Sequence, residues 1–196
     1  MKRFNNLAIK NKGFTLIEMM VSVIMFAIIV AAISGLFISG IRSQGRVLAT
    51  QEILDQTSYV MEYMGRAIRM ARKDLNGECT LVAKLNYEKT SSGTGGIIFK
   101  NYEGICQEFF REWDAIEGVH RLKEIKGVTE NYLTSPDLDV VSFNIGPDAS
   151  WDQDDDDQPR VTIFLEIESG RPMVTGSPPK IQIQTSISQR SLDVEY

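Results

Sequence analysis

Glu18 is the only charged side chain between residues 14 and 38, in a run that is otherwise almost entirely apolar. A carboxylate at the centre of a membrane-spanning helix costs about 2.5–3.5 kcal/mol, and intramembrane acids rarely lack a partner. We therefore expect Glu18 to pair with another group. The alternative is a carboxylate that stays at the membrane interface, near the start of the helix.

Two cysteines, Cys79 and Cys106, lie in the part of the chain that follows the apolar run. If this part is outside the cytoplasm, disulfides can form and persist there, so we predict a bridge between them. Two buried free thiols are the alternative. The chain has no Cys-x-x-Cys pattern, and its one histidine, His120, belongs to no His–Cys cluster of the kind that binds zinc.

An acidic stretch, "WDQDDDDQP", contains the alternating residues Asp152, Asp154 and Asp156. The spacing resembles a calcium-binding loop, but an EF-hand requires glycine where Asp157 stands and glutamate where Ile163 stands. A nonstandard calcium site and a solvated acidic loop are the two remaining interpretations. We expect no other cofactor.

The charge balance argues against bulk electrostatic binding of nucleic acid. The formal net charge is −5, and removal of residues 1–13 would change it to −9. Arg66, Arg69 and Lys73 share a helical face, but Glu62 precedes Arg66 by four residues, which favours ordinary intrahelical pairing. No serine or cysteine stands in a nucleophile motif, so we expect no enzymatic activity.

The apolar run predicts a single membrane span. At about 1.5 Å per residue, a helix over residues 14–38 can cross a hydrocarbon core of about 30 Å. Residues 1–13 carry four basic side chains and no acidic one, so the positive-inside rule keeps the N-terminus in the cytoplasm and places residues 40–196 outside. A secretory signal peptide cut near Ala32-Ile33-Ser34, or a plain anchor, are alternatives that leave Glu18 unexplained.

The helix should continue well beyond the membrane, because the first proline is Pro136. We predict one helix from Phe14 to Leu75, apolar all round in its first half and amphipathic in its second, with Asn76-Gly77 as the stop signal. The expected buried stripe repeats every seven residues, with two additional members between. Its residues are Val47, Leu54, Met61, Ile68 and Leu75, with Met64 and Ala71.

The rest of the chain has the period-two pattern of half-buried strands. We predict strands at residues 81–87, 141–145, 161–167 and 181–187, and either a strand or a short helix at "CQEFFREW". The simplest assembly is an α+β fold in which the long N-terminal helix packs on an antiparallel β-sheet.

The segment "KGFTLIE", residues 12–18, resembles the processing site of type IV pilins and type II secretion pseudopilins. In that family a basic leader ends in glycine, the mature chain begins with phenylalanine, and its fifth residue is glutamate. The resemblance implies the pilin fold, with a leader at 1–13, a transmembrane and filament-core helix segment at 14–40, and an extracytoplasmic head at 41–196.

The resemblance also implies partners and residue roles. A prepilin peptidase would cut after Gly13 and methylate the new N-terminus at Phe14. Glu18 would then neutralise the terminal amine of a neighbouring subunit, because pairing offsets the cost of burying each charge. The expected partners are other pilin or pseudopilin subunits, the prepilin peptidase, the inner-membrane assembly platform and the membrane. The expected final location is a filament at the cell surface.

The segments "MEYMGRAIRMARKDL", "VVSFNI…W…QPRVTIFLEI" and "KIQIQTSISQR" resemble the minor subunits of the J or W type. Major pilins usually have a proline within the apolar helix, whereas this chain has Gly35 there. The resulting hypothesis is a minor pilin that helps to initiate a type IV pilus or lies at its tip. The alternatives are a minor pseudopilin of a type II secretion system and a membrane-tethered adhesin or DNA-binding module.

Overall fold

The computed structural model describes residues 13–148, 151, 158–171 and 176–190. They form one long helix, α1, followed by eight strands. The elements are α1 (Leu16–Arg69), β1 (Glu88–Lys89), β2 (Thr94–Lys100), β3 (Cys106–Asp114), β4 (Val119–Lys126), β5 (Thr129–Tyr132), β6 (Leu138–Gly146), β7 (Arg160–Ser169) and β8 (Lys180–Ser188).

The strands form two antiparallel sheets rather than the single sheet that the sequence suggests. One has the order β1-β2-β3-β4-β5 and the other β6-β7-β8. The two sheets meet at β6, where the Arg111 Nε on β3 donates to the Val140 carbonyl at 2.6 Å. With α1 packed against them, the predicted α+β class and pilin-like architecture are confirmed.

The chain divides into two compact units, Met1–Gly45 and Arg46–Tyr196. In the first unit every described side chain, from residue 13 to residue 45, is exposed. By length and composition, α1 is able to cross a membrane. The N-terminal part of this helix therefore presents a continuous apolar surface.

In the second unit, α1 buries a stripe that differs in part from the predicted one. Val47, Leu54 and Leu75 are about half exposed or more. The prediction was wrong there because it placed Leu54 in the buried stripe. The adjacent residue, Ile53, lies about 100° away around the helix and faces the sheets instead. Its buried residues are Ala49, Ile53, Thr57, Val60, Met64, Gly65 and Ile68.

The observed stripe contains a polar residue, Thr57, so it is not recognisable as an apolar repeat in the sequence. Three predicted members of the stripe, Met64, Ile68 and Ala71, are buried as expected. A strict seven-residue repeat also drifts by about 20° per heptad around a straight helix. A seven-residue repeat that faces the core near residue 64 therefore turns away from the core toward both ends of the helix.

The helix ends at Arg69 and not near Leu75. The backbone N–H of Arg190 donates to the Arg69 carbonyl at 2.8 Å, and Gln189 Nε2 donates to the Ala71 carbonyl at 2.8 Å. Arg72 then donates its N–H to the carbonyl of Lys100, the last residue of β2. Tertiary partners thus satisfy the last carbonyls and redirect the chain before Asn76 is reached.

The strand predicted at residues 81–87 is also absent from the described chain. Leu81 is 92 % exposed and Lys84 has a positive φ of 71°. The N–H groups of Cys79 and Thr80 donate to the Asp74 carboxylate, so this segment folds into a loop around Asp74. The ambiguous segment "CQEFFREW" is strand β3.

Aromatic side chains form much of the core between α1 and the sheets. Tyr87, Phe99 and Phe109 are fully buried, and Trp151 packs on Tyr87 with ring centroids 5.8 Å apart. The Trp151 Nε1 donates to the Arg160 carbonyl at 2.8 Å, which satisfies its one polar group.

Candidate assembly site at the start of the helix

The residues before and within the first turn of α1 form a reciprocal cap. The backbone N–H and the hydroxyl of Thr15 both donate to Glu18 Oε2 at 2.8 Å, and the Glu18 N–H donates to Thr15 Oγ1 at 3.3 Å. This is a capping box, in which a threonine and a glutamate three residues later satisfy each other's backbone donors. It determines where the helix begins and orients the carboxylate.

Thr15 is the site residue that the sequence-based reasoning missed. The signal was present as the Thr-x-x-Glu spacing directly before an apolar run, which is a recognised helix start. Glu18 therefore both caps the helix and places a negative charge at the positive end of the helix dipole.

The other hydroxyl groups of this segment are satisfied locally. Ser22 Oγ donates to the Glu18 carbonyl at 2.7 Å, and Ser34 Oγ donates to the Val30 carbonyl at 2.8 Å. Such bonds to the carbonyl four residues earlier hide a hydroxyl in an apolar setting. Glu18 is thus the one residue of the apolar run that brings a formal charge.

Gly13 and Phe14 immediately precede the cap, and both are exposed; the Phe14 side chain is 82 % exposed. A cut after Gly13 would create an amino group on Phe14, next to the cap. An ionised carboxylate has about four acceptor positions, so Glu18 can accept from Thr15 and from a further cation. The site can therefore hold one positive group from outside its own cap.

The cysteines form a second structural site at the end of the helix. Cys79 and Cys106 are joined by a disulfide, with 2.04 Å between the sulfurs. The bridge ties the loop around Asp74 to the start of β3. Lys100 Nζ donates to Glu78 Oε2 beside the bridge and lies 3.7 Å from Asp74 Oδ1.

Asp74 is the strongly shifted acid of this loop. Burial alone would raise its pKa, but the backbone N–H groups of Cys79, Thr80 and Glu78 outweigh burial and lower the pKa to about 2. Its Oδ2 accepts from Cys79 at 2.6 Å and from Thr80 at 3.0 Å. The ionised carboxylate therefore organises the loop.

The remaining candidate site residues from the sequence either have structural partners or lie outside the described residues. The His120 ring packs edge-on against Trp113, with ring centroids 4.8 Å apart, and the His120 N–H donates to Asp139 Oδ1. Arg66 pairs with Glu62 at 2.7 Å, as the four-residue spacing favours. Asp152, Asp154 and Asp156 lie outside the described residues. Within the described ranges, no cluster of three acidic, histidine or cysteine side chains could hold a metal ion.

Comparison with known families identifies the N-terminal segment. Residues 9–34 match the prokaryotic N-terminal methylation motif. No curated protein and no solved structure matches the chain significantly. The motif, together with the long apolar helix that follows it, supports a type IV pilin-like prepilin signal. It thereby supports a type IV pilin or pseudopilin, a class of structural subunits that work with like subunits and a prepilin peptidase.

Proposed function

We propose that this protein is a minor pilin, cleaved after Gly13 and methylated on Phe14, that assembles through α1 into a type IV pilus. The single observation that carries the proposal is the position of Glu18. Its carboxylate lies in the first turn of an exposed apolar helix, four residues after the residue that cleavage would make the N-terminus. Initiation of the filament or a place at its tip is the proposed role.

The assembly chemistry is a charge pair between two subunits. Thr15 holds Glu18 Oε2 on the helix, and the Glu18 carboxylate would accept the methylated ammonium group of Phe14 from a neighbour. An unpaired charge in an apolar filament core is costly, so a subunit in the wrong axial register would be penalised. Dispersion contacts between the apolar helices supply the rest of the attraction.

The proposed topology follows from the same segment. The helix first anchors the protein in the inner membrane with residues 1–13 in the cytoplasm, where the prepilin peptidase and the assembly platform act. The second unit is then extracytoplasmic, in agreement with the disulfide between Cys79 and Cys106. For the acidic stretch with Asp152, Asp154 and Asp156, a solvated loop and a nonstandard calcium site stay the two interpretations, since either water or a divalent cation would relieve the repulsion among these carboxylates.

Mass spectrometry of the mature protein tests the processing step. The expected N-terminal peptide begins with N-methylated Phe14. A chain that starts near Gly35 would instead identify a cleaved signal peptide, and an uncut chain would identify a plain anchor. Either of these results contradicts the proposal.

A pair of variants tests the role of Glu18. Glu18→Gln keeps an acceptor for Thr15, because glutamine also serves in capping boxes, but it removes the charge. We expect membrane insertion and head folding to persist while incorporation into filaments falls at least tenfold. The matched control is Thr15→Ala, which removes the cap and keeps the charge, and should retain most incorporation. Equal loss in both variants would show that the cap, and not the charge pair, is required.

Genetic context distinguishes the pilus from the secretion system. Genes for a major pilin and a retraction ATPase beside this one favour a pilus subunit, whereas a secretin with secretion components favours a minor pseudopilin. Salt-dependent DNA binding by the full-length protein would instead favour the DNA-binding alternative.

A further inference from the structure

The outer face of the three-stranded sheet points away from α1. On β7, Ile163 and Leu165 belong to the core that contains Ile53 and Met64 of α1. Because side chains alternate between the two faces of a strand, Phe164, which lies between them, is on the outer face. Strands β7 and β8 pair through nine consecutive residue pairs without a bulge, so this face continues regularly to β8 at the edge of the sheet. A ligand bound to it would leave α1 available for assembly.

Phe164 lies at the centre of this face and is surrounded by small or polar residues. Directly beside it are Asn144 on β6 and Gln184 on β8. The row of residues on one side is Ser142, Glu166 and Gln182, and the row on the other side is Gly146, Thr162 and Ser186. We call these three rows the outer platform. Phe164 is its one large apolar side chain and is 41 % exposed.

An open cavity lies over part of the outer platform. It has a volume of about 430 Å³, and its lining includes Ser142, Phe164, Glu166, Gln182 and Gln184. Sites for small ligands typically have volumes of about 300–1,000 Å³. The outer platform therefore has room for a small ligand that contacts Phe164 and its polar neighbours together.

Some polar groups of the outer platform are fixed by their neighbours. Gln182 Nε2 donates to Glu166 Oε2 at 2.9 Å, and Lys180 Nζ pairs with Glu166 Oε1. The hydroxyl groups of Thr162 and Ser186 share a hydrogen bond of 2.8 Å. These bonds hold the carboxylate and the hydroxyl groups in defined positions and neutralise the one acidic side chain of the platform.

The groups closest to Phe164 keep their hydrogen-bonding capacity for a ligand. In the described part of the chain, the side chains of Ser142, Asn144 and Gln184 make no hydrogen bond. A hydroxyl or amide side chain both donates and accepts hydrogen bonds. Asn144 and Gln184 lie on the strands that flank Phe164, at a strand spacing of about 4.8 Å. A ligand over the ring of Phe164 would thus meet an amide group on each side.

The charge and polarity of the outer platform select the class of ligand. A nucleic acid requires basic groups, but the nearest one, Lys180, is paired with Glu166. One large apolar side chain is too little for the apolar core of a protein–protein interface. The matching ligand is neutral, carries many hydroxyl or amide groups and has a small apolar surface. An oligosaccharide has this combination.

We propose that the outer platform binds a neutral oligosaccharide with acetamido groups. One sugar ring lies over Phe164, because the C–H face of the ring is apolar and its contact with Phe164 removes both surfaces from water. The hydroxyl and acetamido groups of the sugar exchange hydrogen bonds with Asn144, Gln184 and Ser142. The platform is about 10 Å wide across its three strands, so the chain extends beyond a single ring.

Calorimetric titration of the full-length protein with N-acetylchitopentaose tests the proposal. The detergent of the micelles should be an amine oxide, because a sugar head group would compete for the outer platform. We expect saturable binding. Cellopentaose, which has the same type of linkage but no acetamido groups, should bind about threefold more weakly or less. Absence of binding, or equal binding of cellopentaose, would overturn the proposal.

Three variants locate the binding site. Phe164→Ala should weaken binding about tenfold or more, because the ring supplies the apolar contact. Gln184→Ala lies at an exposed position of β8 and should weaken binding about threefold without affecting the fold. The matched control is Tyr102→Ala, which removes an aromatic side chain of similar exposure, 48 %, outside the outer platform. Its affinity should equal that of the parent protein. Parent-like affinity of both Phe164→Ala and Gln184→Ala would overturn the assignment.

Ionic strength distinguishes a neutral ligand from a charged one. The dissociation constant of the sugar should change less than about twofold between low and high salt, because salt screens only charged contacts. A strong dependence on salt would contradict the proposed contacts. Filament incorporation depends on α1 and is measured separately, so failure of sugar binding leaves the proposed role of Glu18 intact.

Discussion

The hydroxyl of Tyr63 on α1 donates to Glu124 Oε1 on β4 at 2.8 Å. The same carboxylate accepts from Gln107 Nε2 at 2.5 Å, and Gln107 in turn accepts from Asn101 Nδ2 at 3.2 Å. Glu124 is only 4 % exposed. A continuous chain of hydrogen bonds, partly buried at Tyr63 and buried at Glu124 and Gln107, therefore runs from the helix into the five-stranded sheet. Such a chain specifies the position of the helix along the sheet more strictly than apolar packing does.

Tyr63→Phe removes the hydroxyl group that begins this chain of hydrogen bonds on α1. We expect the free energy of unfolding to fall by about 1–3 kcal/mol, because a buried carboxylate loses a donor while the ring and its packing remain. The matched control is Tyr59→Phe, whose parent side chain is 62 % exposed and should matter little. Denaturant titration of the full-length protein in micelles measures both changes, and equal effects would contradict a special role for Tyr63.

Asp74 should make the stability depend on acid pH. Its folded-state pKa is about 2 against an ordinary value of 3.8, so its contribution is fully present above about pH 4 and is lost as the pH falls to 2. The difference corresponds to about 2 kcal/mol. Melting temperatures of the parent and Asp74→Asn proteins at pH 2 to 6 measure it. The difference between them should shrink as the pH falls, and a constant difference would refute the role of the ionised form.

Loss of the disulfide should destabilise the second unit. The bridged cysteines are 27 residues apart, and closing a loop of that length lowers the entropy of the unfolded chain by the equivalent of about 3–4 kcal/mol. We expect the double variant Cys79→Ser with Cys106→Ser to lose about this much in denaturant unfolding. Reduction of the parent protein should reproduce the loss. If reduction has no effect on the parent, the bridge does not contribute.

Ile53 and Leu54 are adjacent residues with opposite surroundings. Ile53 is fully buried, whereas Leu54 is 46 % exposed. Ile53→Ala should cost about 2–5 kcal/mol of unfolding free energy, because it removes buried contacts and leaves a cavity. Leu54→Ala removes a similar volume and should cost about 1 kcal/mol or less. Thermal unfolding of the two variants compares them directly. A larger loss of stability in Leu54→Ala would show that Leu54, as the seven-residue repeat suggests, faces the core.

Features that depend on neighbouring residues could be predicted from the sequence. The segment "KGFTLIE" is short and contiguous, so the prepilin-type signal and the apolar helix after it were recognisable, and the period-two pattern indicated strands β7 and β8. The capping box of Thr15 and Glu18 was equally readable, since its partners are three residues apart. Each of these features is determined by local spacing and hydrophobicity.

Features that depend on distant partners could not be predicted. The end of α1 at Arg69 depends on Arg190 and Gln189, and the loop at residues 78–86 depends on the carboxylate of Asp74. Nothing near Leu54 in the sequence shows that the neighbouring position faces the core. Tertiary contacts supply hydrogen-bond partners and burial from residues far away in the chain, and these outweigh local propensity.

The amino-acid sequence by itself determined the N-terminal chemistry of this protein: a basic leader, a glycine before phenylalanine, and one carboxylate at the start of an apolar helix. It also determined the α+β class. Only the tertiary structure decided that the strands divide into two sheets, that β6 is covered and that β8 is a regular edge. The reason is physical: the exposure of a sheet edge depends on which strands lie beside it, and that is decided by packing across the whole unit.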